Sequence, residues 1–182
     1  MFSQISALLL VLCLAFIFTD TALALPSDLP ELSSRQTTPT KPYQLRGVQS
    51  PIFHLYLQTL PSSKTSSTPI PVMGPESTSE YFTIGSTIQS VNSSLYLNIG
   101  EKVGGKSFLP LSFAKTANTT AWGLEGDTVI TVTASTYGRQ LNFLACNSKT
   151  SGYYDLYLQT GSDVPSGVTC SNYQTIHTPC LC

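Results

Sequence analysis

Two histidines, a pair of close carboxylates and a tyrosine-rich stretch are the residues of this chain whose chemistry invites a functional reading. His54 is a candidate general base, because an imidazole titrates near neutrality. It stands in PIFHLYLQ, where strand alternation sets it on one face with Ile52 and Tyr56, so a packed or rim histidine is expected. His177, in YQTIHTPCLC, has no evident partner in the sequence. Glu125 and Asp127 flank Gly126 in LEGD. Glycoside hydrolysis needs two convergent carboxylates roughly 5–10 Å apart, but the same spacing describes a solvated turn. No GxSxG elbow or GxGxxG loop occurs, and the letters GxxxxGK[ST] are met only by GEKVGGKS. GEKVGGKS, at 100–107, lies between strand-like runs without a helix to present N–H groups to phosphate. The expectation is therefore a non-enzymatic protein without a cofactor.

Binding is better supported than catalysis. Tyr153, Tyr154 and Asp155 follow the polar run NSKTSG and form the candidate contact surface, since tyrosine suits a boundary that is apolar on one side and wet on the other. Tyr56, Tyr96 and Tyr157 recur in LYL strands and, with Trp122 and Phe143, read as core or rim. Asn92 and Asn118 open the sequons NSS and NTT and are candidate N-glycan acceptors.

Cys146, Cys170, Cys180 and Cys182 are disulfide candidates. A bridge between the last two would close a very small loop, so Cys146 and Cys170 either reach toward the C-terminal pair or pair with each other. Zinc is not expected, because no second close cysteine pair accompanies the histidines.

The elements that position these residues begin after an export signal. Residues 1–24 carry an apolar run from Ile5 to Phe18 and the small-residue Ala22-Leu23-Ala24, the pattern of a secretory signal peptide. The run is shorter than the roughly 20 residues a spanning helix needs. Residues 25–41 read as a flexible leader or pro-segment, with Arg35 as a processing point, and residues 42–182 as a single all-β domain. Without Asp20 the mature chain has nine acidic and nine basic residues, which gives no field for nucleic acid or an anionic membrane. Pro61 to Pro75, PSSKTSSTPIPVMGP, reads as a long exposed loop.

Between these stretches β-branched and aromatic residues alternate with polar ones, and no segment has the period of an amphipathic helix. YQLRG at Tyr43, YFTIG at Tyr81 and WGLEG at Trp122 recur at spacings of 38 and 41. Each is followed by a similar strand, at Leu55–Leu57, Leu95–Leu97 and Leu141–Leu144. Three units of about 40 residues suit a closed, β-trefoil-like arrangement, with a two-sheet β-sandwich as the alternative. LYLQT itself appears twice, at Leu55–Thr59 and Leu156–Thr160, but out of phase with this period.

In order along the chain, RGVQSPIFH, the F-x-I and LYL strands at Phe82–Ile84 and Leu95–Leu97, Trp122-Gly123-Leu124, FLAC and YYDLYLQTG resemble the small secreted cell-wall proteins of filamentous fungi of the PhiA, phialide-development type, together with related elicitor-like proteins. In that resemblance Cys146 and Cys170 correspond to the two family cysteines after the Trp strand, and Cys180 or Cys182 to the terminal one. It implies a wall or extracellular location, a part in wall integrity or conidiation, and exposure to a host; contact with glucan or chitin is the expectation that the aromatic residues carry. A host defence protein is the alternative partner. It implies no catalytic set.

Overall fold

Alternation is plainest in FLPLSFA, where Phe113, Leu111 and Leu109 turn inward while Pro110, Ser112 and Ala114 remain half-exposed. The same pattern, with β-branched and aromatic residues inward, builds most of the other strands. The computed structural model describes residues 41–60 and 68–179. The expected signal peptide, the leader with Arg35, and Cys180 and Cys182 lie outside the described residues.

The described residues form β1 (Arg46–Gly47), β2 (Tyr56–Leu60), β3 (Ile70–Gly74), β4 (Phe82–Ile84), β5 (Ile88–Ser90), β6 (Tyr96–Ile99) and β7 (Phe108–Ala114). There follow β8 (Trp122–Glu125), β9 (Thr128–Thr131), β10 (Phe143–Asn147), β11 (Tyr154–Gln159), β12 (Cys170–Gln174) and β13 (Ile176–His177). A 3-10 turn at Glu76–Thr78 is the helical piece among them.

These strands make an all-β, single-domain, nearly closed barrel. The hydrogen-bonded path runs β4-β5-β6-β7-β11-β3-β2-β1-β13-β9-β8, with β10 and β12 joined to it at β11. Its two ends meet: the Trp122 N–H donates to the Ser86 carbonyl at 3.1 Å. Tyr43 and Phe82 exchange two backbone bonds of 2.8 Å, tying the approach to β1 onto β4. Closure of this kind leaves few unpaired edges.

Two pairing patterns recur. Tight pairs β4–β5 and β8–β9 are matched by β13–β1, whose partners come from opposite ends of the described chain. Hairpins β2–β3, β6–β7 and β10–β11 form the second set. Their return strands join one another, because β11 pairs with both β3 and β7 and the Phe113 N–H donates to the Pro69 carbonyl at 3.1 Å. One buried cluster takes side chains from nearly every strand, among them Leu57, Phe82, Leu97, Trp122, Phe143 and Leu158. The buried Trp122 indole is satisfied by the Leu97 carbonyl at 2.9 Å, as a buried polar group must be.

Three expectations need correction. The three aligned openings are not equivalent: Tyr81 and Trp122 lead into the first strand of a tight pair, whereas Tyr43 leads into β1, the second partner of β13. The equivalent strands are those with LYLQ at 55–58, LYLN at 95–98 and LNFL at 141–144, each the outgoing arm of a hairpin.

The stretch 61–75 is not all loop, since Ile70–Gly74 is a strand in which Pro71 to Gly74 are buried. Its prolines read as breakers, but a proline near a strand end removes little from the ladder, and Val72 and Met73 supply core contacts. PIFHLYLQ is not continuous strand either. Residues 51–54 turn, with His54 in the left-handed region at φ 57°, so alternation fails there and His54 is exposed instead of packed. Tyr56 belongs to the core: β2 is covered on both sides, and Tyr56, Leu57 and Gln58 are all buried.

Candidate functional site

The β10–β11 turn carries the tyrosines singled out in the sequence. Gly152, at φ +84°, supplies the left-handed step. Ser148 N–H donates to Tyr153 O at 3.0 Å and Tyr153 N–H to Thr150 O at 3.2 Å. The loop encloses a cavity of about 310 Å³ lined by Asn147, Ser148, Thr150, Ser151, Gly152, Tyr153 and Tyr154. Both tyrosines are half-buried. The Tyr153 ring lies over Gly74, where a Cβ would collide with it, and Tyr154 packs on the main core. Amide, hydroxyl and phenol groups around a small cup are suited to a neutral, hydroxylated ligand. Asp155 does not line this cup. It stands in β11 opposite Cys146 and Val72. Burial first, and the Asp155 charge second, push the Tyr157 phenol upward.

Cys146 and Cys170 are bonded to each other and are directly opposed across β10 and β12. This is one of the two open pairings, and it displaces the one in which each reaches the C-terminal pair. Cys146 packs with Phe108 and Leu144 in a second, smaller core cluster, so the bridge anchors β12 to the hairpin that bears the cup.

The acids of LEGD diverge. Glu125 accepts from Arg139 Nε at 2.7 Å, and this bond holds its carboxyl below the usual range. Asp127 instead meets His177 Nδ1 at 3.2 Å, while His177 Nε2 lies 3.0 Å from Thr175 Oγ1. Carboxylate, imidazole and hydroxyl thus stand in the order of a proton relay. None of the cavities described here borders Thr175, and the Asp127 carbonyl also accepts the Thr178 N–H at 2.8 Å. The arrangement clasps β13 to the β8–β9 turn. Thr175 and His177 share a strand face by their spacing of two, a signal available in the letters; that β13 lies beside β9 was not.

A larger cavity, about 540 Å³, went unseen in the sequence. Ile99 and Leu109 floor it, and Glu101, Lys102, Thr136, Tyr137 and Gln140 are among its walls. Beside it, Ser107 and Asp163 bond reciprocally: Ser107 N–H and Oγ donate to the carboxylate at 2.9 and 3.0 Å, and Asp163 N–H donates to Ser107 Oγ at 2.9 Å. The Ser107 backbone bond, then its hydroxyl, hold the Asp163 carboxyl below its ordinary range.

Both sequon asparagines are exposed in loops. The Asn92 carboxamide oxygen accepts the Tyr81 N–H at 3.2 Å. The loop of Asn118 is held by buried Asn98, whose oxygen accepts the N–H groups of Asn118 and Thr119 at 2.8 and 2.9 Å.

Among the described residues no three His, Cys, Asp or Glu side chains are placed to hold a metal ion, and no helix is long and apolar enough to cross a membrane. Compared with family models, curated proteins and solved structures, the chain matches none.

Proposed function

We propose that this chain is a non-enzymatic, secreted glycoprotein of a fungal wall or extracellular space, built as a β-trefoil, that contacts neutral wall polysaccharide such as glucan or chitin. The threefold reading is supported by the pairing pattern, in which three tight pairs alternate with three hairpins. Export is supported by the N-terminal apolar run, and surface glycosylation by the exposure of Asn92 and Asn118.

The observation that carries the binding reading is the cup at the β10–β11 turn, with tyrosine walls and a lining of hydroxyl and amide groups, Lys149 standing exposed in the same loop outside that lining. The test is co-sedimentation of mature protein (25–182) with insoluble β-glucan and with chitin. Replacing Thr150 and Ser151 by Ala removes rim hydroxyls from exposed positions. At about 1 kcal/mol per hydrogen bond, binding weakens roughly fivefold or more. Unchanged retention would remove the cup from the binding surface. Capture of one specific host protein, with no polysaccharide retention, would replace wall contact by host recognition.

A further inference from the structure

The most exposed aromatic side chains of the described domain are carried by elements other than the turn that bears that cup. Phe53 is 60% exposed and Tyr173 58%. His54, also exposed, sets its ring edge-to-face against Phe53 with centroids 4.2 Å apart. Val48 adds apolar surface from the same loop. Solvent-facing rings of this size are not needed by the core, which is filled without them.

Their backbone is held in place at a cost. His54 and Tyr173 both have φ of 57°, and only Ser94 shares the left-handed region among the non-glycine described residues. Histidine tolerates that region better than most residues, but a tyrosine is disfavoured there and persists only where its surroundings impose it, a circumstance that clusters at ligand clamps and active sites. The impositions are visible. Tyr173 N–H donates to Gln159 Oε1 at 2.7 Å, and the Gln49 side-chain amide donates to the Tyr173 carbonyl. Gln174 Nε2 reaches the Ser50 carbonyl at 3.3 Å, and His54 N–H the Gly47 carbonyl at 3.2 Å. The Gln49 and Gln174 bonds knit the β1–β2 loop to the β12–β13 segment, so rings carried by both belong to one preorganised surface.

Charge selects the occupant. Neither GVQSPIFH, 47–54, nor VPSGVTCSNYQTI, 164–176, contains Asp, Glu, Lys or Arg. An anionic membrane or a nucleic acid would require cations here. The surface offers instead aromatic faces bordered by the exposed Gln49, Ser50 and Asn172. That combination matches a neutral polyhydroxylated polymer, whose C–H faces lie on rings while its hydroxyls meet amides.

We infer that Phe53, His54 and Tyr173 form a second contact surface for neutral polysaccharide, rigidly presented and carried by other elements than the β10–β11 cup. This rests on the polysaccharide reading above and specifies how a polymer surface, as opposed to a short chain end, is engaged.

The experiment compares wild type, Phe53→Ala/Tyr173→Asn and Thr150→Ala/Ser151→Ala. Asparagine tolerates the left-handed backbone, so the ring is removed without disturbing the fold, and an unchanged Tm verifies this. Each protein is sedimented with insoluble β-glucan and chitin, and its mass is followed by light scattering. The expected result is at least tenfold weaker retention of the Phe53/Tyr173 variant at unchanged Tm. Retention equal to wild type overturns the platform, and if the Thr150/Ser151 variant alone loses binding the general function stands without it. A wild-type dimer that the Phe53/Tyr173 variant abolishes, with retention intact, overturns it in favour of self-association. No retention of wild type on any neutral polysaccharide overturns both readings together.

Discussion

LYLQT in β2 and LYLQT in β11 share their letters but not their surroundings. In the first copy Tyr56 is buried, and Gln58 Nε2 donates to the Tyr56 and Pro75 carbonyls, both at 3.2 Å, bracing the neck of its own hairpin. In the second, Tyr157 is half-exposed and meets Phe108 edge-on at 5.5 Å. Gln159 there is also buried but reaches onward along the chain, donating to Gly161 O at 2.8 Å and accepting the Tyr173 N–H. One copy is an outgoing hairpin arm and the other a return arm bonded to β7, β3 and β10. Leucine is used alike in both places; tyrosine and glutamine take their roles from position. The truer relative of Gln58 is Asn98, which braces its hairpin through Tyr96 O and Thr116 O.

The strongest way to break this comparison is at the leucines. Leu57 and Leu158 are 1% and 0% exposed, so Leu57→Ala and Leu158→Ala should each cost about 2–5 kcal/mol in denaturant unfolding. A cost below about 1 kcal/mol at either position would show that the copies differ even in their core use. Next comes the disulfide, which supports only the second copy's neighbourhood. Cys146→Ser with Cys170→Ser should cost about 3 kcal/mol and lower Tm, with amide exchange accelerating in β10 and β12 before β2.

The glutamines sharpen the contrast further. Gln58→Leu and Gln159→Leu should each cost about 1–2 kcal/mol, because backbone groups lose their partners. Only Gln159→Leu should speed exchange at the Tyr173 amide, and equal rates in the two variants would contradict the division of roles. The smallest effect concerns Asp163, just beyond the second copy. Its folded carboxyl is held below the unfolded range, so the Ser107 clamp contributes stability above the unfolded value and loses it as pH falls through the folded one. The Tm difference between wild type and Asp163→Asn should therefore be present at neutral pH and close on acidification. A gap that widened in acid would refute the clamp.

The all-β class, the strand runs and the inequality of the two LYLQT copies were legible because alternation is a local property. The phase of the repeat was not. It depends on which strands pair at long range, and Tyr43 looks like Tyr81 and Trp122 in its letters while β1 pairs as β5 and β9 do. The Tyr153–Tyr154 stretch pointed to the cup because a polar turn beside tyrosines is visible in sequence, but Asp155 was carried in by adjacency and faces elsewhere. Phe53 and Tyr173 were hidden for the opposite reason. One sat in an apparently regular strand and the other in a tail, and only the left-handed turns at His54 and Tyr173 bring their rings to the surface.

The pairing of β13 with β1 also orders events in time. Arg46 meets His177, a separation spanning almost the whole described domain, so the ring has no complete wall until its last strand exists. During synthesis the first strand must wait, unpaired along one side, while the hairpins between them form from nearer contacts. Assembly of this chain is therefore finished from its end backward to its beginning, and a truncation that removed only Ile176–His177 would leave the earliest-made strand as the exposed edge.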